Sequence, residues 1–237
     1  ISGLQKYDYS IGTTAGATNV LTWTNNTTST SATASGLTLQ SSQMYYFNVR
    51  TTDNAGNTAV ISSNGQLVAP TLSYSISTNS IAFNNLNASN SFTDTKTTTL
   101  TTSTNAYNGY VVRLYKTDFL RRGFTLDTIA DFSAGSYSTP AAWGGSDYGF
   151  GYTSNDTLVQ GVDKFNNASC AGGGTAPCYA PISLTAPGDI VADHTSNISG
   201  SPLTNQQFII TYKVKTPISQ AAGNYSTTLI YTVVPQY

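Results

Sequence analysis

The sequence contains no glutamate. Its eleven acidic residues are all aspartates, ten Lys and Arg balance them, and charged residues make up 9% of the 237. Soluble domains carry about a quarter. With Glu absent and Lys scarce, the best surface helix formers are missing, which argues against a helical fold. A net charge of −1 offers no basic field to hold phosphate backbones, so nucleic acid is not expected as a partner. There is one His, one Met and two Cys. Two cysteines with no second pair and no neighbouring His do not make a zinc site. No run approaches the roughly 20 apolar residues of a membrane helix. Neither an initiating Met nor a leader precedes Ile1, which reads as a mature or cut end.

Thr, Ser, Asn, Gly and Tyr fill the vacated positions, and Thr and Tyr favour strands. We therefore expect an all-β protein. Near the end, Phe208, Ile210, Tyr212 and Val214 alternate, as do the residues of Tyr225–Val233 up to Pro235. The turn-rich stretch 216–224 lies between them. Period-two patterning around such a connection predicts two successive antiparallel strands that complete a larger sheet. Earlier, strands are expected at Tyr7–Gly12, Val20–Thr24, Ser31–Leu39 and Met44–Thr51. After the tight turn Asp53–Asn57, Ala59–Ser62 begins the return. Ala69-Pro70 marks a boundary, since Pro does not sit in a central strand. Beyond it, Leu72–Ile76, Ser80–Phe83, Thr97–Thr102 and Val111–Tyr115 continue the strand pattern. Residues 116–201 read as a long irregular insertion carrying most of the local aromatics, with Leu126–Phe132 the best helix candidate.

Residues 1–69 resemble a fibronectin type III domain. The resemblance is carried by Tyr7–Thr14, the Gly36-Leu37-x-Leu39 step, Tyr45–Arg50 and Asp53–Asn57. That family forms a β-sandwich of seven strands in about 90 residues. Against it, Ile1 falls near the third strand, so this module is expected to lack its first strands. Residues 70–237 resemble, more loosely, the C-terminal β-sandwich domains of secreted bacterial surface proteins, including the WxL-type cell-wall domain. The carriers are Pro70-Thr71-Leu72 leading to Ile81-Ala82-Phe83, Asn105–Tyr110, and Ala222–Tyr231. The Trp-x-Leu signature is absent, because Gly144 and Gly145 follow Trp143. The expectation is thus two tandem β-sandwich domains, 1–69 and 70–237.

Several residues are candidates for chemistry. Cys170 and Cys178 flank a Gly-rich spacer that folds back easily, which predicts a disulfide and an oxidising compartment. Glycosylation sequons begin at Asn25, Asn26, Asn87, Asn155, Asn167, Asn197 and Asn224. Asp53, Asn54 and Asn57 offer oxygen ligands for calcium at a Gly turn, although an Asx turn explains the same residues. Trp143, Tyr148 and Tyr152 form a candidate sugar-stacking platform. Tyr148, Phe150 and Tyr152 also have the spacing of a strand packing into a core. His194 follows Asp193, but adjacent residues rarely have triad geometry. Asp127, Asp131, Asp147, Asp156 and Asp163 are the carboxylates from which a glycosidase pair would be drawn, and each also suits a turn. Lys6, Lys96, Lys213 and Lys215 are candidates for an internal isopeptide bond, with no local motif marking a pair.

Taken together, the residues point away from an enzyme and from a resident cofactor. They point to an extracellular or cell-surface structural segment of a fibre, surface layer or adhesin. Its partners are copies of itself or neighbouring domains, joined by strand complementation. The alternative is a glycan-binding accessory module facing cell-wall or surface glycan.

Overall fold

The computed structural model describes residues 2–166, 170–171, 173–195 and 201–237. The protein is all-β, and the described residues contain no α-helix, only two short 3₁₀ turns at Ala88–Asn90 and Val159–Gly161. None of their helices is long and apolar enough to cross a membrane.

Residues 4–67 build one antiparallel sheet from β1 (Leu4–Gly12), β2 (Leu21–Asn25), β3 (Met44–Asp53) and β4 (Thr58–Ser62), with β5 (Gln66–Leu67) pairing the start of β3. The strand order is β2-β1-β3-β4. Register fixes the two faces, because directly opposed residues share one. Ser10, Asn48 and Ser62 lie in one row, while Tyr9, Val49 and Ile61 lie in the next and face the other way. The expected strand at Ser31–Leu39 does not form. Among the described residues, only Tyr9 Oη donates a hydrogen bond to the backbone of 32–39, at the Thr33 carbonyl. The segment alternates in sequence, but a strand needs a neighbouring backbone to pair with, and no ladder joins this one to another strand.

The rest of the chain supplies β6 (Leu72–Ile76), β7 (Thr93–Thr104), β8 (Tyr110–Lys116), β9 (Leu120–Arg121), β10 (Thr128–Ile129), β11 (Ala141–Ala142), β12 (Gly149–Ser154), β13 (Cys178–Tyr179), β14 (Asp189–His194), β15 (Leu203–Lys215) and β16 (Leu229–Pro235). Two sheets dominate, in the orders β12-β15-β7-β6 and β14-β8-β16. They share no strand with the sheet of residues 4–67. One core joins them: Leu100, Phe150, Tyr152, Phe208, Ile210 and Tyr212 from the first meet Tyr110, Val112, Leu114 and Val191 from the second. Phe165, Val159 and Ile182 from the intervening loops fill the same core.

This arrangement corrects the expected terminal hairpin. β15 pairs β7 and β12, whereas β16 pairs β8 in the other sheet. Residues 216–228 carry the chain from sheet to sheet. Alternation alone cannot distinguish that crossing from a hairpin, since both leave one apolar face per strand. The expected helix at Leu126–Phe132 is also absent. Thr128 and Ile129 pair Arg121 and Leu120, Ile129 and Phe132 turn inward, and Leu126 is left in solvent. The strand expected at Ser80–Phe83 makes no ladder, though Ile81 and Phe83 pack on the core.

Candidate functional site

The sheet of residues 4–67 has its chemistry inverted. Its buried face is polar. Asn48 sits at the centre, donating from Nδ2 to Ser10 Oγ (3.2 Å) and the Ala17 carbonyl (2.7 Å), while its Oδ1 accepts from Gly16 N–H (2.8 Å) and Ser62 Oγ–H (2.7 Å). The loop between β1 and β2 is thereby tied over that face. Beside it, Asp8 accepts from Arg50 Nη2 (2.9 Å) and Lys6 Nζ (3.1 Å), and Trp23 lies 4.6 Å beneath the Arg50 guanidinium. Burial pushes the Asp8 carboxyl up, but the Arg50 and Lys6 hydrogen bonds outweigh it and hold the group below its ordinary value. The opposite face is apolar and partly open, with Tyr9, Ile11 and Val49 half-buried and Phe47 and Ile61 exposed. Tyr9 stacks on Phe47 at 5.6 Å, and Ile11 and Val49 adjoin them. Phe47 is 37% exposed and Ile61 71%. Apolar side chains gathered on one exposed face mark an interaction surface more often than chance scatter does.

A second feature is a groove of about 1080 Å³ in the larger region. Residues 78–86 contribute to its lining, as do residues 216–229, with Phe150, Tyr212, Val214 and Tyr231 of the core beneath. Seven aromatic residues reach it, together with Asn, Gln, Ser and Thr, and no charged side chain lines it among the described residues.

The candidate stacking residues are not assembled into a platform. Tyr152 is fully buried, and the ring of Phe165 packs 5.3 Å from it. Trp143 stacks on Phe132 at 4.3 Å, meets Tyr179 edge-on, and has Lys213 4.9 Å above its ring. Only Tyr148 is substantially open to solvent, and Lys215 lies over it. Alternate positions on β12 point into the core, as the spacing of Phe150 and Tyr152 suggests.

The Asp53 carboxylate is engaged by its own turn. Hydrogen bonds from the Asn57 side chain, Ser2 and the Asn57 and Ala55 N–H groups lower its pKa to about 2. No cluster of three or more His, Cys, Asp or Glu side chains suited to a metal occurs among the described residues. His194 stacks on Tyr110 at 5.5 Å and meets Phe208 edge-on. The Asp193 carboxylate accepts from Gln160 N–H and from Thr195. The five candidate acids have separate attachments: Asp127 to Arg122, Asp131 to Lys116, Asp147 to Gly144 N–H, Asp156 to Leu158 and Asp193 N–H, and Asp163 to Asn166 N–H.

Cys170 and Cys178 form a disulfide with Cα atoms 5.4 Å apart. Of the sequon asparagines, Asn25, Asn87, Asn155 and Asn224 are exposed. Asn26 uses its Nδ2 to bond the Ser29 and Ser31 carbonyls, so that amide nitrogen is occupied. Asn167 and Asn197 lie outside the described residues. Among the candidate cross-linking lysines, Lys6 pairs Asp8 and Lys96 pairs Asp94. Sequence reasoning passed over Lys116, which is fully buried against Asp131. A signal existed: Lys116 has the parity of Val112 and Leu114, the core-facing residues of its strand.

A comparison with family models finds no match, and one with curated protein sequences finds none either. The functional reading therefore rests on the geometry.

Proposed function

We propose that the chain is a non-enzymatic structural segment of an extracellular fibre, surface layer or adhesin. Neighbouring copies join by adding an extended strand to the sheet of residues 4–67. The observation that carries this reading is the partly open apolar face of Tyr9, Ile11, Phe47, Val49 and Ile61, on which Phe47 and Ile61 are exposed, beside a segment at 31–39 that has no ladder partner. A strand added along the unpaired edge of β4 brings main-chain hydrogen bonds for strength, and its alternate side chains extend the apolar face and set the register. A head-to-tail contact that does not close into a ring propagates as a filament. The resemblance of residues 1–69 to fibronectin type III domains agrees with a module short of strands, and the disulfide agrees with an extracellular location. Sedimentation of the full chain tests the reading. Concentration-dependent association that Ile61→Asp abolishes supports it. A wild-type chain that stays monomeric, or association that survives Ile61→Asp, overturns it.

One observation favours a second reading, a glycan-binding module. The large groove combines aromatic faces with uncharged amides and hydroxyls, the chemistry that suits a neutral sugar chain. On this reading the platform is Tyr225 and its neighbours rather than Trp143, Tyr148 and Tyr152. Calorimetric titration with neutral oligosaccharides tests it: binding weakened by Tyr225→Ala supports it, and no heat of binding ends it.

A further inference from the structure

Lys116 is the last residue of β8 and is wholly enclosed, with no exposed side-chain surface. An ammonium carries three donors. Among the described residues this one has a single hydrogen-bond partner, Asp131 Oδ1, with the rings of Phe119 and Phe150 at 5.0 and 5.9 Å completing its surroundings. Burying an ion pair costs several kcal/mol per ion unless its remaining donors and acceptors are met, and here two donors are not. Asp131 is positioned by backbone pairing. Phe132 N–H bonds the Phe150 carbonyl (3.0 Å), and Phe150 N–H bonds that of Ala130 (2.9 Å). Gly149 makes this approach fit: at φ +126° it lies so close that a Cβ would fall 2.6 Å from the Asp131 carbonyl carbon. Asp131 is thus anchored on β12 and Lys116 on β8, and the sheets of these two strands share one core, which holds nucleophile and carboxyl together, the condition for high effective concentration.

We propose that Lys116 and Asp131 condense into an intramolecular isopeptide bond. The Lys116 ammonium first passes one proton to an Asp131 carboxylate oxygen, giving a free amine and a carboxylic acid. Nζ then attacks Cγ. One C–O bond breaks, and that oxygen leaves as water with the acid proton and one amine hydrogen. An amide and water replace an ion pair, with no oxidant, reductant or further reactant. Burial favours the first step, because desolvation holds the Lys116 pKa below the ordinary lysine value against the pull of Asp131 and Asp118. Asp131 keeps 22% of its side chain exposed, which leaves the water a way out.

The bond has a mechanical consequence. Lys116 belongs to the sheet β14-β8-β16, and the segment around Asp131 is hydrogen-bonded to β12 of the opposing sheet. The cross-link would clamp the two sheets of the larger region to each other. It does not depend on association of copies, so either proposal can fail alone.

Mass spectrometry of the denatured, reduced chain decides the matter. The expected result is a mass lower than the sequence mass by one water, with a branched proteolytic peptide joining the segments of Lys116 and Asp131. Lys116→Arg and Asp131→Ala should each restore the full mass, and Asp131→Asn should lose ammonia in place of water. The wild-type measurement needs no folded variant. A full sequence mass, or a water lost elsewhere with no branched peptide, overturns the proposal.

Discussion

The two regions of this protein solve the same problem in opposite ways. Residues 72–235 bury aromatic and aliphatic side chains between two sheets: Tyr110, Tyr152, Tyr212 and Phe165 have essentially no exposed surface. Residues 4–67 bury Asp8, Ser10, Asn48 and Thr52 and leave Phe47, Val60 and Ile61 in water. The first solution draws on the area-proportional gain of removing apolar surface from solvent, about 25 cal/mol per Å². The second relies on hydrogen bonds, which contribute only about 1 kcal/mol net each. A region built that way gains most from a partner that covers its apolar side.

The sharpest contrast should come from matched truncations. Leu114→Ala, in the larger core at 1% exposure, should cost about 2–5 kcal/mol of unfolding free energy. Ile61→Ala in the monomer should change it by no more than about 0.5 kcal/mol. Denaturant titrations of both variants measure this, and comparable losses would erase the distinction. Next in size is reduction of Cys170–Cys178, which closes a loop of eight residues' separation. Loop-closure entropy gives a loss of about 2–3 kcal/mol, confined to the larger region and visible in its melting but not in that of residues 4–67.

Acid should act on the smaller region through Asp8. The Asp8 pKa is depressed on folding. Its contribution is therefore present above the unfolded carboxylate value of about 3.9, and it is lost as pH falls through the lower folded value. In a Trp143→Phe background, Trp23 beneath Arg50 reports that region alone. Its fluorescence should change as pH falls below about 4, and Arg50→Ala should move the change to higher pH. A transition that Arg50→Ala leaves in place would show that Asp8 is not the controlling group. The smallest expected effect is at Asn54, whose substitution by Ala should shift stability by no more than about 0.5 kcal/mol, since the Asp53 carboxylate is held by Asn57 and Ala55. Titration of the chain with calcium by calorimetry provides the counter-check there: saturable binding lost in Asp53→Ala would make the turn a metal site.

Much was legible before any coordinates. Missing Glu and abundant Thr and Tyr announce strands, and Phe208–Val214, Val111–Tyr115 and Met44–Thr51 all lie within strands. The Cys170–Cys178 bond follows from a spacer too flexible to resist it. What misled was alternation without partner information. Ser31–Leu39 and Ser80–Phe83 carry the pattern and pair with nothing, while Phe208–Val214 and Tyr225–Val233 read as neighbours and fall in different sheets. By contrast, the alternate spacing of Phe150 and Tyr152 suits a strand packing into a core, and both are buried.

The sequence by itself determined the secondary-structure class and which side chains share a face, because strand period and intrinsic preference are local properties. Only the tertiary structure decided which strands pair, which of two faces is covered, and that Lys116 meets Asp131. Those outcomes depend on contacts between residues distant along the chain, and no periodicity within a segment encodes them.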